Sequence, residues 1–450
     1  MPPPRLLLSA IQERTRLFMI DFRRPCFHLR SVSFGLLFLL LAIIALPCRT
    51  AVAETPSNPP IAAISTQGLK DIARDVARHV GDAPSNPGPR AHLSGALRPA
   101  DVHAAMRKVA NWELARAQPY FARTWTWSVL YAGFMAATPA LHDPRYRDAM
   151  LNMARRFHWE LHSRVPDANR QGVAQTYLQL YLLDPAPQEI APTQQALGRL
   201  LAGAAAPIPD DQAKIPWWWC DSLFMSPPVW SRMYAATHDR KYLAYIDQHW
   251  WQTSGLLYDQ HWHLYYRDIT WLHRSDPLGR PVFWSRGNGW VMAGLARTLE
   301  YMPSSERDRA RYVHQLRQMA AAIAPLQDPH SGLWHSDLLD GRDYPQPEAS
   351  GSALMTFALA WGVNHGVLSR ARYLPVIAKA WSGLVGQIYA DGRLGNIQQS
   401  GDAPAHYLPS SSYNYGIGAF LLAGAQLEQL AGWMPKRIGG VPMSRSVSAP

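Results

Sequence analysis

An aspartate stands inside a strongly aromatic stretch of the sequence, Trp217-Trp-Trp-Cys-Asp-Ser-Leu-Phe-Met225. Aromatic neighbours exclude water from a carboxyl group, which raises its pKa and keeps it protonated near neutral pH, as a general acid requires. Asp221 is therefore our candidate for the catalytic acid. The alternative is structural, because Asp is a preferred helix N-cap and an apolar run follows directly.

A second stretch, Phe283-Trp-Ser-Arg-Gly-Asn-Gly-Trp290, places Arg286 between two tryptophans and surrounds Asn288 with glycines. An arginine can donate two hydrogen bonds to one carboxylate, and glycines allow the backbone to approach a ligand. We therefore expect an anionic ligand near Arg286. A tight turn at the start of a helix would use the same residue types.

Two more acidic positions are candidates for a supporting role. Arg267 and Asp268 end the stretch Tyr265-Tyr-Arg-Asp268, which either reaches the site or forms a surface ion pair. Glu348 could be the second carboxylate that an ordinary glycosidase needs, or it could cap a helix. The pattern leaves both alternatives open for each position.

Other chemistries find little support. His261 and His263 have no accompanying ligand cluster, and His158 and His162 do not form the His-Glu-x-x-His motif, so we expect no metal site. Cys220 has no evident histidine partner and is expected to be a buried thiol. We expect no nucleic-acid partner, because a dense Lys/Arg stripe is absent.

Helical periodicity recurs along most of the chain. Apolar residues follow the spacing of one helix face from Tyr146, Tyr242, Tyr312 and Tyr373, with weaker copies near Val102 and Ile190. Each of these one-sided helices precedes a second helix that is apolar nearly all round, which is typical of a buried helix. The pattern predicts an all-α fold, an (α/α)6 toroid with short β-hairpins only in loops such as 256–268.

In such a toroid the inner helices are parallel, so their N-termini open on one face. The six predicted entrances are rich in aromatic, Gly and polar residues, and helix N-termini favour a carboxylate ligand. The chain also has 18 Trp and 19 Tyr residues, whose flat faces suit stacking against sugar rings. We therefore predict a carbohydrate site in the funnel that these entrances form.

The N-terminal residues are typical of an export signal. An apolar run follows Arg23, Arg24 and Arg30 and precedes Ala51-Val-Ala53, so we predict a signal peptide over 1–53, with a membrane anchor as the less favoured reading. Cleavage would leave 37 basic and 31 acidic residues, a net charge of +6 that suits an anionic substrate, and Cys220 as the single cysteine. We expect a periplasmic or secreted protein without a stable membrane span. The remaining predicted segments are an extended lead-in with a short helix (54–97), the catalytic domain (98–433) and a flexible tail (434–450).

At these motifs the sequence resembles the unsaturated rhamnogalacturonyl and glucuronyl hydrolases of glycoside hydrolase families 105 and 88. The resemblance covers roughly residues 105–430 and depends on five stretches, namely 217–228, 266–268, 282–291, 347–352 and 415–424. It implies removal of a 4,5-unsaturated uronic acid from the non-reducing end of oligosaccharides that polysaccharide lyases leave behind. A single Asp, matching Asp221, would protonate the enol-ether double bond, and water would add without a metal or cofactor.

The resemblance also implies a set of substrate-binding residues. These are Asn169, Gln171, Gln175, Trp219, Arg267, Trp284, Arg286, Asn288 and Trp290. One departure stands out, because Asn169-Arg170 occupies a place where many members have Asp-Asp. The alternatives are another toroid enzyme, either a lyase or a two-carboxylate glycosidase, and a catalytically weakened glycan-binding protein. The sequence does not indicate the linked sugar or the oligomeric state.

Overall fold

The computed structural model describes residues 64–162, 167–203 and 214–432. The predicted signal peptide and flexible tail lie outside the described residues. Nearly all regular structure in the described part is helical. In chain order the helices are α1 (Thr66–Ala77), α2 (Pro99–Ala117), α3 (Trp125–Leu141), α4 (Arg145–Arg156), α5 (Ala168–Gln171), α6 (Ala174–Leu183), α7 (Pro187–Leu201), α8 (Ser222–Met225), α9 (Pro227–Thr237), α10 (Lys241–Leu257), α11 (Ser285–Leu299), α12 (Arg309–Ile323), α13 (Ala349–Asn364), α14 (Arg370–Val385) and α15 (Asn414–Gly432).

Six inner helices form a closed ring. Helix α3 packs against α6, α6 against α9, α9 against α11, α11 against α13, α13 against α15, and α15 again against α3. The short helices α5 and α8 precede α6 and α9 and continue two members of the ring. Outer helices α2, α4, α7, α10, α12 and α14 pack on its outside. This arrangement confirms the predicted (α/α)6 toroid.

The two kinds of helix differ in burial as the sequence predicts. Residues 349–363 of the inner helix α13 are all buried. The outer helix α14 buries one face, made of Tyr373, Ile377, Ala380, Trp381, Leu384 and Val385. A helix that is apolar all round is stable only where neighbours cover every face, whereas an outer helix keeps a polar face in water.

Glycines permit the closest contact at the point where the site is built. An added Cβ at Gly294 on α11 would stand 2.2 Å from the carbonyl oxygen of Leu223 on α8. The backbones of the two helices therefore touch, and no larger residue fits without moving one of them. This contact fixes the position of α8, which begins directly after Asp221.

Strands are few and short in the described residues. β2 (Tyr258–Asp259) and β3 (Leu264–Tyr265) form the antiparallel hairpin predicted within 256–268. A second pair joins β1 (Gly81–Asp82) to β4 (Ser412–Tyr413) across most of the chain, and is therefore not a hairpin. This pairing attaches the lead-in to the start of α15, a long-range contact that local sequence patterns do not reveal.

The lead-in helix α1 is also attached to the toroid. The Ser65 hydroxyl accepts a hydrogen bond from the Gly68 N–H, which caps α1. At its other end, Arg74 donates to the Ser400 carbonyl at 3.2 Å, and the Ser400 N–H donates to the Asp75 carboxylate at 2.8 Å. Helix α1 falls inside the predicted lead-in, and α2 starts near its predicted end. Within the described part of the chain, no helix is long and apolar enough to cross a membrane.

Candidate active site

Asp221 occupies the position before the first residue of α8, yet its side chain does not cap the helix. Its backbone is helical, with φ −61° and ψ −27°, and the neighbouring Cys220 N–H donates to the Arg267 carbonyl at 2.9 Å. The side chain keeps 13 % of its area exposed. The capping alternative therefore does not describe Asp221, whose carboxyl group remains available to a ligand.

The surroundings of Asp221 favour its protonated form on balance. Burial raises the pKa of this carboxyl group above its ordinary value, and the nearby Arg267 guanidinium opposes that rise. The Arg267 Nε lies 3.7 Å from Asp221 Oδ2, and the Cys220 thiol donates to the same oxygen at 3.4 Å. A carboxyl group with a raised pKa and a partly open face meets the requirements of a general acid.

Arg267 combines the two roles that the sequence leaves open. Its Nη1 donates to Asp268 Oδ2 at 2.5 Å, and Asp268 is held in turn by the Thr270 N–H and hydroxyl. The guanidinium carbon also lies 5.6 Å from the centroid of the Trp218 ring. The ion pair with Asp268 thus orients Arg267 beside Asp221.

Arg286 is fully buried and already satisfied at the end of its side chain. Nη1 donates to the Gln398 carbonyl at 2.7 Å and Nη2 to the Gln399 carbonyl at 2.8 Å. The guanidinium lies over the rings of Trp284 and Tyr415. In this structure Arg286 supports the segment 398–399, and its contact with a uronate carboxylate stays a prediction.

The side chains that surround Arg286 in the sequence also make contacts within the protein. Asn288 pairs with the backbone N–H and carbonyl of Tyr265 at 2.8 and 3.0 Å, which fixes β3. The Trp284 indole N–H donates to Gln398 Oε1 at 3.1 Å. Trp290 is 1 % exposed and contacts the rings of Trp125 and Phe224. These three predicted binding residues are buried, and together with Arg286 we call them the floor of the site.

The two predicted glutamines lie beneath the site. The Gln171 Oε1 accepts from the Ser226 hydroxyl at 2.6 Å. Gln175 donates to the Phe224 carbonyl at 2.8 Å and accepts from Arg297 Nε at 2.8 Å. Both side chains are 1 % exposed, so their contacts brace α8 and α9 from below.

Glu348 takes the capping alternative. Its carboxylate accepts from the N–H groups of Ser350 and Gly351 at the start of α13, and from the Gln398 N–H. The side chain is fully buried. Glu348 is therefore not placed as the second carboxylate of a glycosidase.

Asn169 lines a cavity of about 320 Å³, and we call Asn169 and the neighbouring Arg170 the wall of the site. Asn169 is half-buried, and its backbone N–H donates to the Asp167 side chain at 2.9 Å. Trp219 is 5 % exposed and packs against Trp218. The residues lining the cavity are Arg74, Asp75, Arg78, Val80, Thr124, Trp125, Thr126, Asp167, Asn169, Arg170 and Ser400.

Helix α1 lines part of this cavity, which its sequence pattern did not predict. Arg74, Asp75 and Arg78 belong to the predicted lead-in, and Ser400 belongs to a distant loop. One available signal was the spacing of Asp71 and Asp75, which puts two acids on one face of a short helix. Both are buried, which is unusual for Asp without a partner elsewhere.

The fold and the site together define a glycoside hydrolase of the toroid class. The family model for glycosyl hydrolase family 88 matches residues 98–431, and the chain belongs to this family. Among the described residues, no group of three His, Cys, Asp or Glu side chains is arranged to hold a metal ion.

Known proteins resemble the chain over most of its length. An unsaturated 3S-rhamnoglycuronyl hydrolase of Formosa agariphila is 35 % identical over 356 residues, which cover 74 % of this chain and 92 % of that protein. A solved structure described as a polysaccharide lyase has a TM-score of 0.68 at 29 % identity, covering 75 % of this chain and 99 % of the other. A family 88 glycosyl hydrolase structure from Bacteroides vulgatus has a TM-score of 0.67 at 29 % identity, covering 73 % and 98 %.

Proposed function

We propose that this enzyme removes a 4,5-unsaturated uronic acid from the non-reducing end of lyase-generated oligosaccharides by hydrating the enol-ether double bond. The supporting observation is the single carboxyl group of Asp221, which is partly exposed, raised in pKa and free of any capping role. The activity in the name of the Formosa agariphila relative agrees with this proposal.

The reaction needs one carboxyl group that first gives and then takes a proton. Protonated Asp221 transfers its proton to C4 of the unsaturated ring, and positive charge develops at C5 and the ring oxygen. The resulting carboxylate removes a proton from water, whose oxygen bonds to C5 and regenerates the acid. The hemiketal then opens and the glycosidic bond breaks, releasing the shortened oligosaccharide.

The hydrogen bonds of Glu348 and Asp268 favour a hydration mechanism over ordinary glycoside hydrolysis. A glycosidase that uses two carboxylates holds them about 5–9.5 Å apart across the scissile bond. Glu348 caps α13, and Asp268 is bonded to Arg267 and Thr270. Both are engaged within the protein, whereas a hydration mechanism has no need of a second acid.

The test uses an unsaturated uronyl disaccharide, whose conjugated double bond absorbs in the near ultraviolet. We expect the wild-type enzyme to remove this absorbance and Asp221→Asn to lose that activity. Asp148→Asn, on the exposed face of the outer helix α4, is the matched control and should behave as wild type. Unchanged absorbance across pectin, ulvan and glycosaminoglycan-derived substrates would overturn the proposal.

A lyase is the second candidate, because one similar structure is described as a polysaccharide lyase. The two reactions change the same signal in opposite directions. A lyase creates near-ultraviolet absorbance from an intact polymer, whereas the proposed hydrolase removes it from a short unsaturated product. The third alternative, a weakened glycan-binding protein, predicts calorimetric binding without turnover that Asp221→Asn leaves unaffected.

We also propose that the chain is exported, on the basis of its predicted signal peptide at 1–53. Fractionation of cells expressing the full chain, with N-terminal sequencing of the product, tests this directly. We expect a periplasmic or secreted product that begins after Ala53. A cytoplasmic protein that retains the apolar run would contradict the proposal.

A further inference from the structure

The lining of the cavity beside Asn169 contains several charged side chains. Three arginines reach it, Arg74 and Arg78 from α1 and Arg170 from α5. Two acids, Asp75 and Asp167, also line it, but each already accepts a backbone hydrogen bond, from Ser400 and Asn169 respectively. Both acids thus have hydrogen-bond partners within the protein, and the partners of the arginines must be compared with them.

The three arginines differ in their hydrogen bonds and salt bridges within the protein. Arg74 donates to the Ser400 carbonyl and pairs with Asp71 at 2.8 Å. The guanidinium groups of Arg78 and Arg170 make no hydrogen bond or salt bridge with any described residue. Arg170 is half-buried at the rim, and Arg78 is exposed at the end of α1. Arg170 lies close enough to Asp167 to lower the pKa of that carboxyl group, but neither guanidinium group is held by a hydrogen bond. Two such guanidinium groups on one cavity are suited to an anion.

Two other features favour a charged sugar as that anion. Trp125 is half-buried in the lining of the cavity, and the start of the long helix α3 at Thr124 has no side-chain cap. The N-terminus of a helix carries positive potential. The volume of about 320 Å³ lies at the lower end of the range typical of small-molecule sites.

Aromatic contacts connect the cavity to the catalytic helix. The Trp125 ring lies 6.2 Å from Trp290, and Trp290 lies 4.9 Å from Phe224 on α8. Helix α5, which carries Arg170, also packs against α8. The cavity is therefore connected through packed side chains to α8, the helix that begins directly after Asp221, and the lead-in supplies one side of the cavity.

We propose that Arg78 and Arg170 bind an anionic group, a carboxylate or a sulfate ester, of the oligosaccharide whose unsaturated end reaches Asp221. The inference rests on the proposed function for the identity of the ligand. It makes α1 part of the substrate site and gives Arg170 a role in binding. The anion belongs either to the uronate itself or to the neighbouring sugar.

The test measures KM for two unsaturated uronyl disaccharides that differ only in a sulfate on the second sugar. We expect Arg78→Ala and Arg170→Ala each to raise KM by about tenfold, the loss of roughly one charge-assisted hydrogen bond. A rise confined to the sulfated substrate places the anion on the second sugar, and an equal rise on both places it on the uronate. Lys70→Ala, an exposed cation on α1 outside the cavity, is the matched control.

A second arm separates this inference from the proposed function. Calorimetry follows the binding of a saturated uronyl disaccharide to the Asp221→Asn protein, with and without Arg170→Gln, after thermal melts show that both are folded. Weakened binding in the arginine variant supports the anion site even if no substrate is turned over. The proposal would be overturned if KM of both arginine variants matched that of Lys70→Ala and Arg170→Gln left the calorimetric binding unchanged.

Discussion

The floor and the wall of the site contain similar types of residue, but these residues differ in burial and in their bonding partners. On the floor, Trp284, Arg286 and Asn288 are at most 2 % exposed, and their polar ends bond to other parts of the protein. On the wall, Asn169 and Arg170 are half-buried beside an open cavity. Residues of the most recognisable motif therefore support the site, whereas Asn169 and Arg170, in a less conspicuous motif, line an open cavity.

Asp221 shares a property with each of these regions. Like the floor it is largely buried, and like the wall it keeps part of its side chain open. Rigid support beneath an accessible acid is what a preorganised catalytic site requires. The following changes separate the supporting role from the contacting role.

The largest effect is expected for Asp221→Asn. The amide cannot donate the required proton, so kcat should fall by about 10³-fold or more. Because the carboxylate makes no capping bond, thermal stability should remain near that of the wild type. Absorbance assays and calorimetric melting measure the two quantities on one sample. A large fall in melting temperature would instead place Asp221 with the floor.

Arg286→Met should chiefly cost stability. The change leaves the carbonyl oxygens of Gln398 and Gln399 without their buried donors, which we expect to cost about 2–4 kcal/mol of unfolding free energy. Chemical denaturation measures it. Arg170→Met on the wall is the matched control and should stay within about 0.5 kcal/mol. Equal losses in the two variants would remove the distinction between floor and wall.

Arg267→Met should move the pH profile. Burial raises the pKa of Asp221 and Arg267 lowers it, so loss of the cation raises that pKa further. The acid then stays protonated to higher pH, and the alkaline limb of kcat/KM shifts upward. Arg267→Lys retains a charge and should shift it less. A limb that moves to lower pH in Arg267→Met would contradict the assignment of Asp221 as the acid.

The smallest effect is expected for Asn169→Asp, which adds a carboxylate to the cavity. A new carboxylate beside Asp75 and Asp167 should repel an anionic substrate and raise KM by less than about tenfold. Steady-state kinetics at low and high salt test this, because screening should reduce the difference. Asn169→Ala serves as the uncharged control. A lower KM in Asn169→Asp would show that the wall does not select for anions.

Much of the fold followed from local periodicity. Repeated one-sided helices, each followed by a helix apolar all round, predicted the toroid, and the structure confirmed it with a closed inner ring. The family was indicated by the resemblance of five motif stretches, and the family 88 match confirmed it. Helical spacing is readable because each side chain's burial depends on neighbours three and four residues away.

The division of labour at the site depended on contacts between distant residues. Arg286 reaches carbonyl groups 112 and 113 residues further along the chain, and Asp75 bonds to Ser400 across 325 residues. An arginine or a glutamate in a motif has the same local spacing whether it binds substrate or satisfies a buried carbonyl or N–H group. Tertiary packing decides which of these partners lies next to the buried side chain, because water is excluded there and the side chain must bond to a group of the protein or the ligand. The sequence thus specified the toroid and the candidate acid, and tertiary structure assigned the surrounding polar groups to floor or wall.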